Sequence, residues 1–217
     1  MIDIADIIII GSGASGAAAA WSLSQEKSFR IVCFEQGSIA DPSDYATKSS
    51  DWELSRSNKS SFDPNIRKNL ADYPIDDSNS PISIANFNGY GGSTILYSAH
   101  FPRFHPSDFR VKALDNVADN WPLNYSELNP YFDENEKMMG VAGLVGDTAY
   151  PEYKSLLPPV PLGEMGRKMA KSFNKLNWHW WPSYAAINTD KRKNRANCIN
   201  LGPCNIGCSQ GAKGSVD

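Results

Sequence analysis

The chain has 217 residues, of which 41% are hydrophobic, 21% charged and 11% aromatic. That globular balance excludes a wholly disordered chain, and 16 Gly and 14 Pro in no G-X-Y period exclude a fibrous one. A formal charge of −3 with no long basic block gives nucleic acid little to attract, so no nucleic-acid partner is expected.

The chain opens on Ile4 to Ile10, a nearly continuous β-branched run that predicts a strand buried on both faces of a parallel sheet. A glycine turn, Gly11-Ser12-Gly13-Ala14-Ser15-Gly16, leads into the alanine-rich segment 17–24, which predicts a helix. Arg30 to Glu35 reads as the second strand, and the whole has the size of a βαβ unit. From 38 to 80 Ser, Asp and Asn dominate without periodicity. Such an excursion reads as loops and short helices, either a lid or subunit contact or a solvated insertion. Apolar character returns at 81–104 around Gly89-Tyr90-Gly91-Gly92-Ser93.

A helix is expected from Asn124, where Asn124-x-x-Glu127 resembles a capping box. Pro130 is expected to interrupt and restart it. Leu128, Tyr131, Phe132 and Met138 would line its buried face and Gly140 would close it. Residues 146–163 form a proline-rich connector, and 164–176 a short basic amphipathic helix followed by Trp178, Trp180 and Trp181. Cys198, Cys204 and Cys208 stand in the final stretch, with Cys33 apart from them. The start, Met1-Ile2-Asp3-Ile4, has no positive segment of a secretory signal, and Ile7–Ile10 is far shorter than the ~20 apolar residues that span a bilayer. A cytoplasmic location is therefore expected, with peripheral contact to the inner face of a membrane left open, and free thiols or metal ligands are favoured over disulfides.

The pattern Gly11-x-Gly13-x-x-Gly16 gains meaning from its context: it follows a strand, opens a helix, and precedes an acidic residue, Glu35, by 24 positions. Together these are the parts of a dinucleotide-binding fingerprint. Gly11 permits the sharp turn, Gly13 lets the backbone approach a pyrophosphate, and Gly16 lets helix and strand pack. Ala14 and Ser15, at the head of the helix, present free N–H groups and a partial positive charge to phosphates. Glu35, next to Gln36, would accept hydrogen bonds from an adenosine ribose. No Arg follows Gln36-Gly37 closely, which argues against a 2′-phosphate and hence against NADP.

The glycine turn, Phe34-Glu35-Gln36-Gly37, Gly91-Gly92-Ser93-Thr94, Asn120-Trp121-Pro122 through Pro130-Tyr131-Phe132, and Gly207-Cys208-Ser209-Gln210-Gly211-Ala212-Lys213 occur in that order. In this order the chain resembles the glucose–methanol–choline (GMC) family of FAD oxidoreductases. The resemblance implies an α/β fold, a Rossmann-like, doubly wound FAD-binding domain, here incomplete and carrying loop and helical insertions. It divides the chain into a first βαβ (1–37), an insertion (38–80), a flavin-contacting segment with helices (81–145), a connector with the start of substrate-domain elements (146–197), and a Cys-containing lead-in to a further strand (198–217). It also implies an N-terminal fragment of roughly a 500-residue enzyme, given usual domain sizes.

By the same resemblance, Gly91, Gly92 and Ser93 approach the FAD pyrophosphate and flavin. Leu96 stands where some relatives carry a flavin-attaching His, so the FAD is expected to be non-covalent; Tyr97 stands where many have Asn. Three clustered cysteines could hold an iron–sulfur cluster, though structural or free thiols are the favoured reading. The activity implied is oxidation of a CH–OH group of an alcohol, polyol or sugar-type substrate by hydride transfer to flavin, with oxygen, a quinone or a cytochrome as acceptor. His100, His105 and His179 read as structural, His179 within an aromatic core patch, and the catalytic residues are expected beyond residue 217. The rival readings are an NAD-dependent dehydrogenase or reductase and a non-catalytic flavin-binding subunit.

Overall fold

β-Branched isoleucines favour the extended backbone of β1 (Ile7–Ile10), and the alanine-rich stretch that follows favours α1 (Ala14–Ser24). β2 (Ile31–Phe34) returns parallel to β1, in a register that pairs Ile7 with Ile31 and Ile10 with Phe34. The strand expected from Ile4 begins at Ile7 instead. Pairing starts where a partner exists: Asp6 N donates to Arg30 O at 2.9 Å, and the Asp6 carboxylate accepts from Arg30 N at 2.7 Å. Burial on both faces is likewise corrected. α1 packs on the sheet and Ile7 and Ile9 are half-buried, whereas Ile8 and Ile10 are 60% and 79% exposed. Nothing among the described residues of this unit layers the second face.

The computed structural model describes residues 4–42, 45, 51–55, 58, 61–192, 194–202 and 204–217. It divides into two units, Met1–Ala99 with Cys198–Asp217, and His100–Asn197. The segment 81–145, read as one from the sequence, is thus divided at Ala99. Residues 43, 44, 46–50, 56, 57, 59 and 60 of the expected insertion at 38–80, and Met1–Asp3 at the start, lie outside the described residues. What is described of the insertion includes α2 (Trp52–Ser55) and α3 (Pro64–Arg67). Asp63 caps α3 by accepting from Asn65 N at 2.8 Å. Buried Arg67 forks onto Asp72 and donates to the carbonyls of Ser61 and Asn86, which fastens α3 to the strand of chain before the second glycine pair. A 3₁₀ turn, Gly92–Ile95, follows that pair. Ile95, Ala99, Ile206 and Ala212 are buried in this unit.

The second unit is stitched at Ala142, which exchanges backbone hydrogen bonds with Ala185 at 2.7 and 2.9 Å while its neighbours Val141 and Gly143 bond to Leu157. Around this lie α4 (Val111–Asp115), α5 (Tyr125–Met139) and α6 (Gly163–Lys175). α5 carries the full capping box, Asn124 accepting from Ser126 N and Glu127 N while the Glu127 carboxylate accepts from Asn124 N at 2.9 Å, and Gly140 closes it in the left-handed region.

Two expectations for α5 are corrected. It runs through Pro130 without a break. A proline there forfeits one hydrogen bond to the preceding turn, and Asn129, Asp133 and Glu136 on either side are all held by one arginine. Arg103 forks onto Glu136 at 2.5 and 2.6 Å, reaches Asp133 at 2.7 Å and Asn129 at 2.8 Å, and lies over the rings of Phe132 and Tyr153. The packed face of α5 is therefore charged. Leu128 and Phe132 are half-buried, but Tyr131 and Met138 point to solvent, because a stripe of carboxylates facing a buried guanidinium takes the place of the apolar stripe.

Candidate functional site

The end of β1 enters its turn at Gly11, whose φ of +90° disfavours a side chain. Gly11 N donates to Phe34 O at 2.7 Å, which ties the turn to the end of β2. Gly16 is the tightest position: a Cβ there would lie 1.9 Å from Gly11 O. The helix start is open. Gly13 is the N-cap of α1 with no side-chain cap and no acidic residue in the first turn, so the N–H groups at Ala14 and Ser15 have no competing carboxylate from the helix itself.

The second glycine pair meets the first turn. Gly92 has φ +55°, and a Cβ on it would come within 2.8 Å of Gly13 Cα. Gly91 N donates to Ser12 Oγ at 3.3 Å. Ser12 in turn donates both its N–H and its hydroxyl to one oxygen of Glu35, each at 2.8 Å, while Gly37 N donates to the other at 2.9 Å. The backbone N–H groups of Gly37 and Ser12 hold the Glu35 carboxyl below the ordinary glutamate value, so it is an anion at neutral pH. Ile10, Gly11, Phe34, Glu35, Gln36, Phe87, Asn88, Gly89 and Gly92 line one open cleft of about 460 Å³.

Gly11, Gly13, Ala14, Ser15, Gly16, Glu35, Gly91 and Gly92 are thus gathered at one place. Gln36 and Ser93 are less free: Gln36 Nε2 donates to Ala71 O at 3.0 Å, and Ser93 Oγ donates to Asn86 Oδ1 at 3.2 Å. Leu96 lines a second cleft, of about 710 Å³. Sequence reasoning missed Ser12, the bridge between the two glycine segments. Its signal was a small hydroxyl residue in the turn's first variable position. The fit to a dinucleotide is carried by a cradle that Cβ atoms would fill, an uncapped helix start and a carboxylate at the end of β2.

Cys198, Cys204 and Cys208 are free thiols around one small cavity of about 30 Å³. Burial pushes the Cys204 thiol up, against the opposing effect of Lys213. Among the described residues no group of three or more His, Cys, Asp or Glu is arranged to hold a metal ion. The histidines have partners of their own. His100 Nδ1 lies 2.8 Å from Ser183 Oγ, His105 stacks on Tyr150, and His179 Nε2 lies 2.9 Å from buried Asp147. The aromatic patch expected around His179 is not a buried core: His179 stacks on half-buried Trp181, but Trp178 is exposed against Phe173 and the His179 side chain is half in solvent.

Residues 9–41 match the family model of an NAD(P)-binding Rossmann-like domain. The chain is 38% identical over 205 residues to 2-methyl-1,2-propanediol dehydrogenase of Mycolicibacterium austroafricanum, covering 92% of this chain and 36% of that protein. It is 29% identical over 221 residues to 6'''-hydroxyparomomycin C oxidase of Streptomyces lividus, covering 97% of this chain and 37% of that protein. A third relative, the fructose dehydrogenase large subunit of Gluconobacter japonicus, is 30% identical over 128 residues, 57% of this chain and 24% of that protein. The chain therefore spans little more than a third of the length of the first two relatives.

Proposed function

This chain is a homologue of the GMC-type oxidoreductases, and on that premise we propose that it forms the FAD-binding portion of an enzyme oxidising a CH–OH group of a small alcohol, polyol or sugar-type substrate. One observation carries the reading: Gly92 stands against Gly13, so two glycine segments far apart in sequence share one cradle beside Glu35. A turn that needed only a nicotinamide dinucleotide's phosphates would not require the second segment.

In this reading Gly11 and Gly13 hold the backbone close to the pyrophosphate, and the open start of α1 adds partial positive charge. Glu35 accepts from the adenosine ribose hydroxyls. Bound non-covalently, with Leu96 offering no attachment, FAD supplies two-electron acceptance from the substrate carbon. The three histidines of this chain are committed to Ser183, Tyr150 and Asp147, and the proton-abstracting base is read as lying outside these residues. Substrate class follows the relatives' hydroxyl-bearing substrates, and the acceptor is oxygen, a quinone or a cytochrome.

The test is the cofactor released from the purified full-length protein. Acid precipitation should leave a yellow supernatant whose flavin co-elutes with FAD on chromatography. A colourless protein that instead protects NAD from exchange would favour the nicotinamide reading, which the Rossmann-like match at 9–41 also accommodates.

A further inference from the structure

Lys213 is 5% exposed, and its amine lies within hydrogen-bond distance of three backbone carbonyls: Ile95 O at 2.5 Å, Cys204 O at 2.9 Å and Tyr97 O at 3.1 Å. An ammonium has three donors and no acceptor, so the cage uses all of them. The ring of Tyr97 lies under the same nitrogen at 5.1 Å, and the Tyr97 hydroxyl donates to Gly214 O. Burial lowers its pKa to about 8, which leaves it mainly protonated at neutral pH. A buried cation with this many aimed carbonyls is costly to assemble. Its effect is to fasten two chain segments, 204–206 and 95–97, that the sequence separates by about a hundred residues.

Beside this cage a second set of hydrogen bonds runs from the segment after Lys213 toward the cleft. Val216 N donates to Thr94 Oγ1 at 3.3 Å, and Thr94 Oγ1 donates to Gly91 O at 2.6 Å. Gly91 N donates to Ser12 Oγ, and Ser12 donates to Glu35. We infer that Lys213 is a positioning residue for the dinucleotide: it holds the 91–97 turn so that Gly91 and Gly92 meet the first glycine turn and Ser12 aims Glu35 at the ribose. The inference rests on the proposed FAD reading, and it assigns the segment around Lys213 a role in cofactor retention.

The test measures FAD dissociation constants of the reconstituted full-length protein, by quenching of flavin fluorescence. Lys213→Met keeps the length of the side chain and removes its donors; it should weaken FAD about tenfold, as expected for loss of a charged hydrogen-bond hub. Thr94→Val cuts the relay without touching the buried charge, and should weaken FAD about threefold. Combined with Ser12→Ala, either variant should show less than additive loss, because both cut one chain of contacts. Val141→Ala, a core truncation in the other unit, serves as the stability control: it should lower the melting temperature and leave FAD affinity unchanged. If Lys213→Met fails to fold, Thr94→Val with Ser12→Ala decides alone.

Wild-type affinity in both Lys213→Met and Thr94→Val overturns the inference, as does loss that is fully additive with Ser12→Ala. A wild-type protein that binds no FAD would instead overturn the functional reading, and this inference with it.

Discussion

The two units are held together by opposite means. In the first, positions without side chains set the shape: Gly16 under Gly11 O, and Gly92 against Gly13. In the second, one fully clothed side chain does so, Arg103 among Glu136, Asp133, Asn129 and Tyr125. The helices repeat the contrast. α1 starts uncapped, whereas α5 starts with both halves of a capping box satisfied. In the proposed reading the donors left unspent at the start of α1 are there for a cofactor, whereas those at the start of α5 are satisfied within the helix.

The largest effect should come from Arg103. Its side chain and that of Glu136 are almost wholly buried, so Arg103→Met strands a carboxylate and should cost about 3–5 kcal/mol. Calorimetry of the full-length protein should show the loss, and adding Glu136→Met should recover much of it. FAD affinity per folded molecule should stay at the wild-type level. Next is Gly16→Ala, whose methyl would meet backbone, not a yielding side chain; overpacking of this kind should cost about 3 kcal/mol or more. Here, unlike at Arg103, flavin retention on gel filtration should fall together with stability.

Glu35→Gln should be intermediate, removing a charged hydrogen bond worth about 1.5–3 kcal/mol from FAD binding. It should also blunt acid sensitivity. The folded-state pKa of Glu35 lies below the unfolded value of 4.5, so its contribution to stability is complete above that value. It is lost as pH falls through the folded pKa. Urea titrations between neutral and acid pH should therefore show a steeper acid loss for wild type than for Glu35→Gln.

Smaller effects probe the helix starts. Asn124→Ala should cost about 1 kcal/mol by emptying the cap of α5. At the start of α1 the sign should reverse. Gly13 has ordinary φ, and a Cβ there would meet only Gly92 Cα at 3.9 Å. Gly13→Asp should therefore leave thermal stability unchanged or raise it by a few tenths of a kcal/mol through capping and the helix dipole. It should nonetheless weaken FAD binding by placing a carboxylate where the proposed reading puts the phosphates. A destabilised Gly13→Asp that still retains flavin would undo the contrast between the two helix starts.

The first unit was the more legible from sequence because glycine spacing is a constraint written one residue at a time. The strand, turn, helix and second strand follow from local pattern, and Glu35 from its place at the strand end. Ser12 escaped because its partners, Gly91 and Glu35, are distant in sequence and its own type is unremarkable in a turn. The second unit hid more. Arg103 sits in Phe101-Pro102-Arg103-Phe104, where nothing local announces that six groups will converge on it, and so the apolar pattern points to a buried face that includes Tyr131 and Met138. Pro130 misled for the same reason: propensity weighs one lost hydrogen bond but cannot see the three neighbours held by Arg103 on either side of it.

The open face of the small sheet bears on how the polypeptide must be handled in a cell. Ile8, Ile10, Val32 and Phe34 present greasy surface on a parallel pair whose outer backbone edges have no further strand among the described residues. Such a ribbon is a template for pairing between molecules, and the hazard grows with the number of copies present at once. When these residues have just left the ribosome, synthesis rate and the supply of holding chaperones should set the soluble yield more than temperature does. Slow induction and dilute refolding should favour dispersed chains, and crowded polysomes should favour inclusion bodies.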